Sequence, residues 1–380
     1  MKLLIFCPYY PPHIGGLENH ADEFNKYLSL RGMDIIVFTP RLPHNSPAFE
    51  TRHNNVKIIR FPAFEIVPNY PLPKIWSIRF WQLFCGLFKN TFDIVISRTR
   101  FFNTSLLAFT YAKIKNVKWI HIEHGSNFVK LSSKFKTLVA KMYDYTFGFL
   151  IFRFCDQNIS ISRAVQKFVN KFDERESPVI YRGLDMERLA EIKPAYELKE
   201  KYGTKIIISF VGRLYKWKGV ENSIRAIKNL PPEIKNKIVF IIAGSGEDLS
   251  RLQSIPAKND PIVFWKDTPN EKAISLLKIS DIYIHSAYMG GGLSTSLLEA
   301  MYCGCAIIAT PNEGADEVIR HGENGILIKK PDAGLIAKEI MALLDNQEKI
   351  KEYGGNAKIH LSDNFDWEKS IKQYVDIFRK

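Results

Sequence analysis

The sequence predicts two doubly wound α/β domains, each with a parallel sheet that helices cover on both faces. Its 380 residues exceed what a single hydrophobic core accommodates. Twelve short apolar or β-branched runs alternate with amphipathic stretches, which is the pattern of a parallel sheet with covered faces. The runs form two series of six, before and after Ser177–Pro178, so we expect one sheet in each half of the chain.

The predicted elements follow in chain order. The first series of strands is Lys2–Cys7, Ile35–Thr39, Lys57–Phe61, Asp93–Ser97, Trp119–Glu123 and Gln157–Ile161. The second series is Lys205–Gly212, Ile238–Ala243, Ile262–Trp265, Ile282–His285, Ala306–Thr310 and Gly325–Ile328. Helical periodicity fills the intervals and is clear in Leu17–Leu30, Val220–Asn229, Asn270–Ile279 and Asp332–Leu344. The proline-rich stretch Pro62–Pro73 is typical of a loop.

Composition excludes several classes of protein. With 46% apolar and 24% charged residues, the chain is neither disordered nor collagen-like. No run approaches the roughly 18–20 apolar residues of a membrane span. The segment Met1–Pro12 is too short for a signal-peptide core and is better explained as a first strand. Five cysteines, an odd number spread along the chain, indicate a reducing compartment. We therefore expect a cytoplasmic protein.

Positive charge is concentrated in the first half of the chain. The net charge is +13, of which residues 1–180 carry +11 and residues 181–380 carry +2. This asymmetry indicates an anionic partner for the first half: nucleic acid, an acidic membrane surface or a phosphorylated substrate. A basic surface that serves solubility alone is the alternative. The sequence contains no recognised nucleic-acid-binding module, so we expect no nucleic-acid partner.

Two basic amphipathic stretches in the first half leave two interpretations open. As a helix, Lys74–Lys89 forms one apolar face from Trp76, Phe80, Leu83, Phe84, Leu87 and Phe88. The stretch Lys130–Lys141 places Leu131, Phe135, Leu138 and Met142 opposite three lysines. Each stretch is either an ordinary helix that covers a sheet, with lysines reaching water, or a helix that lies on an anionic membrane.

Several common site motifs are absent from the sequence. There is no Gly-x-x-x-x-Gly-Lys-Ser/Thr, and no Gly-x-Gly-x-x-Gly follows the first strand, which disfavours a P-loop NTPase and a nicotinamide site. No Asp-x-Asp occurs, so the simplest way of holding a metal on a diphosphate is missing. Cys303 and Cys305 have no second pair of ligands at suitable spacing. We therefore expect no bound metal.

Three glycine-containing loops instead suit an anionic, diphosphate-containing ligand. Gly15-Gly16 follows the first strand and opens a helix, where backbone N–H groups can bind phosphate. Gly212-Arg213 follows a strand, and Arg213 and Lys218 could supply a guanidinium fork and a point charge to a diphosphate. The third loop is the most informative.

That third loop, Gly290-Gly291-Gly292-Leu293-Ser294, leads into a predicted helix that contains Glu299. Three consecutive glycines cost conformational entropy, so stability does not explain them. A carboxylate at Glu299 can accept two hydrogen bonds from a ribose diol. The loop and the carboxylate together predict a nucleotide site.

These motifs occur in a collinear order along the whole chain. The matching segments are Gly15-Gly16, His124-Gly125, Ser160-Ile161-Ser162, Gly212-Arg213-Leu214, Lys218-Gly219, Gly244-Ser245-Gly246, Leu297-Leu298-Glu299-Ala300-Met301 with Gly304, Asn312-Glu313-Gly314, Gly322-Glu323-Asn324-Gly325 and Phe365-Asp366-Trp367. This order resembles glycosyltransferase family 4. The resemblance implies the GT-B fold, with two Rossmann-like domains facing a central cleft, and retaining transfer of a sugar from a nucleotide diphosphate, usually without metal. It also implies that the last helix returns to the first domain. The expected domains are 1–176 with 364–380 on the acceptor side, and 177–363 for the nucleotide sugar.

The resemblance assigns roles residue by residue. Arg213 and Lys218 match the pair that neutralises the donor diphosphate, and Glu299 matches the second glutamate of the family's Glu-x7-Glu motif, which holds the ribose. His124 matches a histidine near the sugar; a structural histidine at a strand end is the alternative. The expected catalytic residues are thus His124, Arg213 and Lys218. The expected donor-binding residues are Gly16, Gly212, Arg213, Lys218, Gly292, Leu293, Ser294 and Glu299. Further candidates are Gly15, Trp265, Gly291 and Glu313.

The sequence departs from the family pattern at two positions. Eight residues before Glu299, where the family's first glutamate grips the donor sugar, the chain has Gly291. Glu313, on a nearby loop, is a candidate substitute. Where the family commonly has Asn-Gly after the linker strand, the chain has Arg182-Gly183, which adds a positive charge.

Together these observations predict a retaining, metal-independent glycosyltransferase without a cofactor. Its donor is expected to be a UDP- or GDP-sugar, and its acceptor a lipid-linked or cell-envelope glycan at the inner face of the membrane. The first domain would meet the anionic membrane surface. A nucleotide-sugar epimerase of the same fold and a non-catalytic nucleotide-sugar-binding protein are the alternatives that the sequence leaves open.

Overall fold

A computed structural model of the protein describes residues 1–13, 15–67, 70–129, 133–266, 268–290 and 292–380. The chain divides into two compact units. The first unit comprises Met1–Gly183 and Trp367–Lys380, and the second comprises Leu184–Asp366. Each unit contains its own sheet of parallel strands with helices packed on it, which confirms the predicted fold class.

The sheet of the first unit has seven strands in the order β3-β4-β2-β1-β7-β8-β9. Its neighbouring strands run parallel, except that β3 is antiparallel to β4. The strands of this unit are β1 (Lys2–Phe6), β2 (Asp34–Pro40), β3 (Phe49–Arg52), β4 (Val56–Phe61), β5 (Ala63–Val67), β6 (Tyr70–Pro73), β7 (Ile94–Arg98), β8 (Lys118–Glu123) and β9 (Gln157–Ser160).

Helices cover both faces of this sheet. They are α1 (Gly16–Leu30), α2 (Ile78–Leu87), α3 (Asn103–Lys115), α4 (Lys134–Tyr143), α5 (Phe149–Phe154) and α6 (Arg163–Val169), with a π-helical turn at Asp144–Gly148. Side chains alternate along β1, so that Leu3 and Ile5 join one apolar core and Leu4 and Phe6 join the other. A strand buried on both faces needs the continuous apolar run that the sequence has there.

The sheet of the second unit has six parallel strands in the order β12-β11-β10-β13-β14-β15. The strands are β10 (Ile206–Val211), β11 (Ile238–Ala243), β12 (Ile262–Trp265), β13 (Ile282–His285), β14 (Ala306–Ala309) and β15 (Ile326–Leu327). Each of the twelve predicted runs therefore overlaps a strand of the two main sheets.

The helices of the second unit are short near its middle and long at its end. They are α7 (Met186–Glu191), α8 (Tyr196–Tyr202), α9 (Val220–Lys228), α10 (Pro232–Lys235), α11 (Leu249–Gln253), α12 (Asn270–Leu277), α13 (Thr295–Tyr302), α14 (Ala315–Val318), α15 (Ala333–Asp345) and α16 (Gln347–Asn364). A 3₁₀ turn at Lys216–Lys218 precedes α9. The last helix, α17 (Trp367–Arg379), belongs to the first unit, where Trp367 packs on His20 and Tyr27.

One local prediction was wrong. The stretch Pro62–Pro73, expected to be a loop, contains β5 and β6, which pair as a separate antiparallel ribbon. Prolines are compatible with this ribbon because each of its two strands is an edge with one unpaired side. The short edge strand β3 was also not predicted, since its sequence has no apolar run.

The two basic amphipathic stretches have different outcomes. In the first, α2 begins only at Ile78, and Phe80, Phe84 and Leu87 are buried in the core of the first unit. Most of that predicted apolar face therefore covers the sheet, whereas Trp76 lies before the helix and is exposed. In the second, residues 130–132 lie outside the described part of the chain, and α4 presents Phe135 and Leu138 to solvent. Among the helices that the structure describes, none is both long and apolar enough to cross a membrane.

Candidate functional site

Loops at one edge of the second unit's sheet contain most of the predicted site residues. Because the strands run parallel, β10 to β14 all end at the same edge. Gly212 follows β10, Trp265 ends β12, and Glu313 lies in the loop after β14. The carboxyl edge of a parallel sheet is the usual place for a ligand in folds of this class.

Lys218 is held at this edge by Glu313. Its Nζ lies 2.7 Å from both carboxylate oxygens of Glu313, and only 14% of the lysine side chain and 8% of the glutamate side chain are exposed. The following residue, Gly219, has φ +68°, and a Cβ there would lie 2.0 Å from the carbonyl oxygen of Ser286. Only glycine permits this close packing of two loops, so the Lys218 loop has a defined position.

The second predicted cation, Arg213, has different contacts. Its side chain is exposed, and Nη1 donates to the hydroxyl of Tyr215 at 3.0 Å. Arg213 is thus in the same loop as Lys218 but is exposed, so an incoming anion can reach its guanidinium.

His285, at the end of β13, adds a neutral imidazole next to the ion pair. Its Nε2 lies 3.4 Å from a carboxylate oxygen of Glu313. Burial lowers the pKa of His285 to about 4, against the raising effect of the Glu313 charge. The imidazole is therefore uncharged at neutral pH, and Lys218 is the cation that faces Glu313.

The glycine loop leads into α13 as the sequence predicts, although Gly291 lies outside the described residues. Gly292 has φ +83° and is buried together with Leu293. The backbone N–H of Ser294 donates to the carbonyl oxygen of Glu313 at 3.0 Å. The backbone N–H group of Ser294, an expected donor-binding residue, is therefore already bonded, and the bond connects the glycine loop to the loop of Glu313.

Glu299 is buried on α13 and oriented by a residue that sequence reasoning missed. Its Oε1 accepts a hydrogen bond from Nδ2 of Asn270 at 3.0 Å, and Oδ1 of Asn270 accepts one from Arg188 at 2.9 Å. A polar residue at the start of a predicted helix was the available signal for Asn270. Trp265 is half-buried at the end of the edge strand β12, and its carbonyl accepts from Gly244 N–H.

In the first unit, Gly15 and Gly16 lie at the start of α1. Gly16 is the first residue of the helix and is exposed, while Ile14 lies outside the described residues. The carboxylate of Glu18 folds back toward Gly15 and contacts Nδ1 of His13. The helix N-terminus, where backbone N–H groups favour an anion, thus has a carboxylate of the protein beside it.

His124 follows β8 in a tightly packed polar cluster. Its ring packs edge-on against His20 with centroids 4.9 Å apart, and His20 Nδ1 lies 2.8 Å from Nη1 of the buried Arg98. Within the described residues, Nε2 of His124 and Nε2 of His20 are buried without a hydrogen-bond partner. Burial, and then the charge of Arg98, lowers the pKa of His124 to about 3, so its imidazole is neutral.

Glu123 holds the loop of His124 in place, and sequence reasoning missed it. Its carboxylate accepts hydrogen bonds from the backbone N–H groups of His124 and Gly125 at 3.0 and 2.6 Å, and from Nη1 of Arg100 at 3.0 Å. Arg100 also binds Asp144. Charged residues at the ends of buried strands were the available signal, because such residues are rarely buried unless paired.

The arrangement of the second unit suits an anion. It combines a cation held in a mostly buried position, an exposed guanidinium and a glycine-containing loop at the carboxyl edge of a parallel sheet. Across the described ranges, no group of three or more His, Cys, Asp or Glu side chains could hold a metal ion.

Comparisons with known proteins agree with this geometry. The family model "Glycosyltransferase Family 4" matches residues 14–188, and "Glycosyl transferases group 1" matches residues 195–360. An uncharacterized glycosyltransferase of Methanocaldococcus jannaschii is 51% identical over all of this chain and 98% of its own length.

Two solved structures have the same fold over the whole chain. Sucrose-phosphate synthase from Thermosynechococcus elongatus superimposes with a TM-score of 0.82 at 17% identity, covering 98% of that chain. Anabaena HepE, in a structure with UDP-glucose, superimposes with a TM-score of 0.77 at 19% identity, covering 99% of that chain. At these identities the likeness concerns the fold.

Proposed function

The chain belongs to glycosyltransferase family 4, whose members are retaining hexosyltransferases with GT-B folds and nucleotide-sugar donors, and from this premise we propose which residues of this chain perform the transfer. The second unit binds the donor, and Arg213 and Lys218 neutralise its diphosphate. The observation that carries this proposal is the position of Lys218, a mostly buried ammonium group at the carboxyl edge of the sheet.

The charge of the leaving group explains why two cations are needed. When the bond between the anomeric carbon and the diphosphate oxygen breaks, negative charge develops on the leaving phosphate. Cations placed beforehand at that point stabilise the transition state more than the ground state. Lys218 supplies a fixed charge, and Arg213 supplies a bidentate donor that closes on the phosphates. In this proposal the two side chains perform the role that a metal performs in other transferases.

Glu299 holds the nucleotide through its ribose. A buried carboxylate accepts hydrogen bonds from neighbouring hydroxyls, and Asn270 sets the orientation of the carboxylate. Because this contact involves only the ribose, it is independent of the sugar that is transferred. A UDP-linked and a GDP-linked donor can both make this contact between the ribose and Glu299.

In the first unit, His124 contributes a neutral imidazole to the sugar or the acceptor hydroxyl. Its Nε2 is buried without a partner among the described residues, which supports a role that a substrate hydroxyl completes. In the same unit, we propose that Gly15 and Gly16 at the start of α1 offer backbone N–H groups to the donor, in place of the Glu18 carboxylate that lies beside them.

We further propose that the acceptor is a lipid-linked or cell-envelope glycan, met at the anionic inner face of the membrane. Two exposed apolar patches of the first unit support this. The tryptophan patch consists of Ile75, Trp76, Ile78 and Trp81, and the α4 patch consists of Phe135, Leu138, Val139 and Met142. Exposed Arg79, Lys134 and Lys141 lie beside these residues in sequence.

Aromatic contacts link the tryptophan patch and helix α4 each to the ribbon of β5 and β6. The ring of Trp76 packs on Phe64 of β5 at 5.0 Å, Tyr70 of β6 packs on Phe101 at 5.2 Å, and Phe101 packs on Tyr143 at the end of α4 at 5.4 Å. Exposed apolar side chains next to basic ones, on the half of the chain that carries +11, fit an anionic lipid surface.

A thermal-shift screen tests the donor proposal. UDP-, GDP- and ADP-sugars are added to the protein, and the true donor is expected to raise its melting temperature, since a ligand at 100 times its Kd stabilises the folded chain by about 2.7 kcal/mol. Arg213→Ala should keep the melting temperature of the unliganded protein but lose most of the shift. If none of the nucleotide sugars raises the melting temperature, the assignment of this site is wrong.

Sedimentation with vesicles tests the membrane proposal. Anionic vesicles should retain the protein at low salt and release much of it at high salt, because salt screens the attraction of the basic half. Trp76→Ser combined with Phe135→Ser should lower the fraction that stays bound at high salt. Ile359→Ser, on a similarly exposed apolar residue of the second unit, is the control. Equally weak binding to neutral and anionic vesicles would contradict the proposal.

A further inference from the structure

A carboxylate of the second unit lies beside Lys218, one of the two cations proposed to neutralise the diphosphate, and the proposed function gives this carboxylate no role. Glu313 is buried against Lys218 in the loop between β14 and α14. We propose that Glu313 recognises the donor sugar, its carboxylate accepting hydrogen bonds from hydroxyls of the hexose. This inference rests on the proposed donor site and assigns to Glu313 the contact for which residue 291, a glycine, has no side chain.

The position of Glu313 places its carboxylate next to the sugar. Both of its oxygens lie 2.7 Å from Nζ of Lys218, the group proposed to bind the diphosphate. In a nucleotide sugar, the hexose is attached directly to that diphosphate. A side chain in contact with Nζ therefore lies within reach of the hexose, and a carboxylate, which only accepts hydrogen bonds, is complementary to hydroxyl groups.

The neighbouring loop leaves room for the side chain of Glu313. Gly290 has φ +127°, and a Cβ there would lie 2.7 Å from Cγ of Glu313 and 2.9 Å from the ring of Trp217. Any other residue at 290 would push Glu313 out of its place. Glycine at 290 thus has a packing reason: it leaves space for the side chain of Glu313.

The backbone of Glu313 is held in an unfavourable conformation. Its φ is +52°, in the left-handed region that residues with a Cβ rarely adopt. The carbonyl oxygen of Glu313 accepts the N–H of Ser294 at 3.0 Å, which fixes this conformation from the glycine loop. Conformations of this kind are typically retained at functional sites, where they direct a side chain toward a ligand.

Charge balance explains how the Glu313 carboxylate can have one partner without donor and another when the donor is bound. Without donor, Glu313 neutralises Lys218. When the diphosphate binds, it becomes the partner of Lys218, and the oxygens of Glu313 are left to accept from the sugar hydroxyls. Nε2 of His285, which is 3.4 Å away and buried without a hydrogen-bond partner among the described residues, is a second group that can then turn to Glu313.

Isothermal titration of two ligands tests the proposal. Glu313→Gln is titrated with the nucleotide sugar identified by the thermal-shift screen and with the corresponding free nucleoside diphosphate. The Kd of the nucleotide sugar should rise about 10- to 100-fold, as for the loss of hydrogen bonds to a charged acceptor. The Kd of the nucleoside diphosphate should stay the same or fall, because Lys218 loses its competing partner. Asp316→Asn, an exposed carboxylate three residues further on, is the matched control.

Two results would overturn the proposal. If both ligands weaken by the same factor, Glu313 acts only by positioning Lys218; if neither weakens, it has no part in binding. Glu313→Asp, which keeps the charge but shortens the side chain, gives the same comparison if the Gln variant does not fold. Failure of the proposed function itself is distinguishable, since the unaltered protein would then bind neither ligand.

Discussion

In the first unit, the charged side chains of Arg100, Glu123 and Asp144 are buried and bound to one another, whereas in the second unit the two proposed cations, Arg213 and Lys218, lie on a loop that reaches solvent. Arg100, Glu123 and Asp144 are each exposed by at most 1% of their side chains and are paired together. In the second unit, 14% of the Lys218 side chain is exposed, and Arg213 lies at the surface.

This difference indicates two uses of charge on the same architecture. Arg100 donates to Glu123, to Asp144 and to the carbonyl of Asn127, so its guanidinium N–H groups are bonded within the protein. Such a network can orient the loop of His124, but it has no charge to offer a ligand. The Lys218–Glu313 pair is simpler and partly accessible, so an anion can replace the carboxylate as the partner of the lysine.

The largest expected effect is on the stability of the first unit. Arg100→Met leaves the Glu123 and Asp144 carboxylates buried without a cation, which should lower the free energy of unfolding by about 3–5 kcal/mol. Arg213→Ala should change it by less than about 0.5 kcal/mol, because that side chain is exposed. Urea unfolding of both variants measures the difference. Equal stabilities would mean that the buried network contributes no more than a surface charge.

The second largest expected effect is a reduction of kcat. Arg213→Ala and Lys218→Ala should each reduce kcat by about 10²–10³, the usual cost of removing one group that stabilises developing charge. Lys218→Ala should also lower the free energy of unfolding by about 1–3 kcal/mol, since Glu313 then lacks its partner. Steady-state kinetics beside urea unfolding separates the two effects. Near-normal kcat in both variants would remove these residues from the site.

A smaller effect should distinguish the proposed role of Glu299 from that of Glu313. Glu299→Ala should weaken nucleoside diphosphate and nucleotide sugar alike by about 1.5–3 kcal/mol, because the proposed ribose contact is common to both ligands. Calorimetry measures both affinities, with Glu271→Gln, an exposed carboxylate next to Asn270, as the control. Weakening of the nucleotide sugar alone would move Glu299 from the ribose to the hexose.

The two main sheets could be predicted from the sequence because their strands are buried on both faces. Such strands require uninterrupted apolar runs, for example Leu3–Phe6 and Ile238–Ala243, and these runs are visible without a structure. The ribbon of β5 and β6 could not be predicted, since both strands are short and β6 contains two prolines. Glycine-rich loops also marked the edge of the second sheet, although the roles of their residues stay predictions.

The partners of the charged residues could not be predicted. Lys218 and Glu313 are 95 residues apart, and only the order of β10, β13 and β14 brings their loops together. Arg100 and Glu123 meet because β7 and β8 pair in one particular register, with Arg98 opposite Ile122. A single sequence contains the charges but not the strand order or the register that pairs them.

The smallest expected effect is the change in the free energy of unfolding per unit of pH. It depends on the buried imidazoles of the two units. Burial lowers the pKa of His124 to about 3, of His285 to about 4, and of His20 well below its ordinary value. The unfolded chain therefore binds protons below about pH 6.5 while the folded chain does not, so the free energy of unfolding should fall as pH falls, by up to about 1.4 kcal/mol per pH unit for each histidine. Glu123 adds to the loss at lower pH.

Burial alone would raise the pKa of Glu123, but Arg100 and the hydrogen bonds from His121 and the Arg100 backbone hold it at about 2. Its stabilising contribution is complete above its ordinary pKa near 4.5 and is lost as pH falls toward 2. Urea unfolding across pH measures both effects. His124→Gln should flatten the slope in the first unit and His285→Gln in the second, with exposed His44→Gln as the control. A free energy of unfolding that does not change between about pH 7 and pH 5 would mean that these imidazoles take up protons in the folded chain as they do in the unfolded chain, and both units would then offer additional cations to a ligand below about pH 6.5.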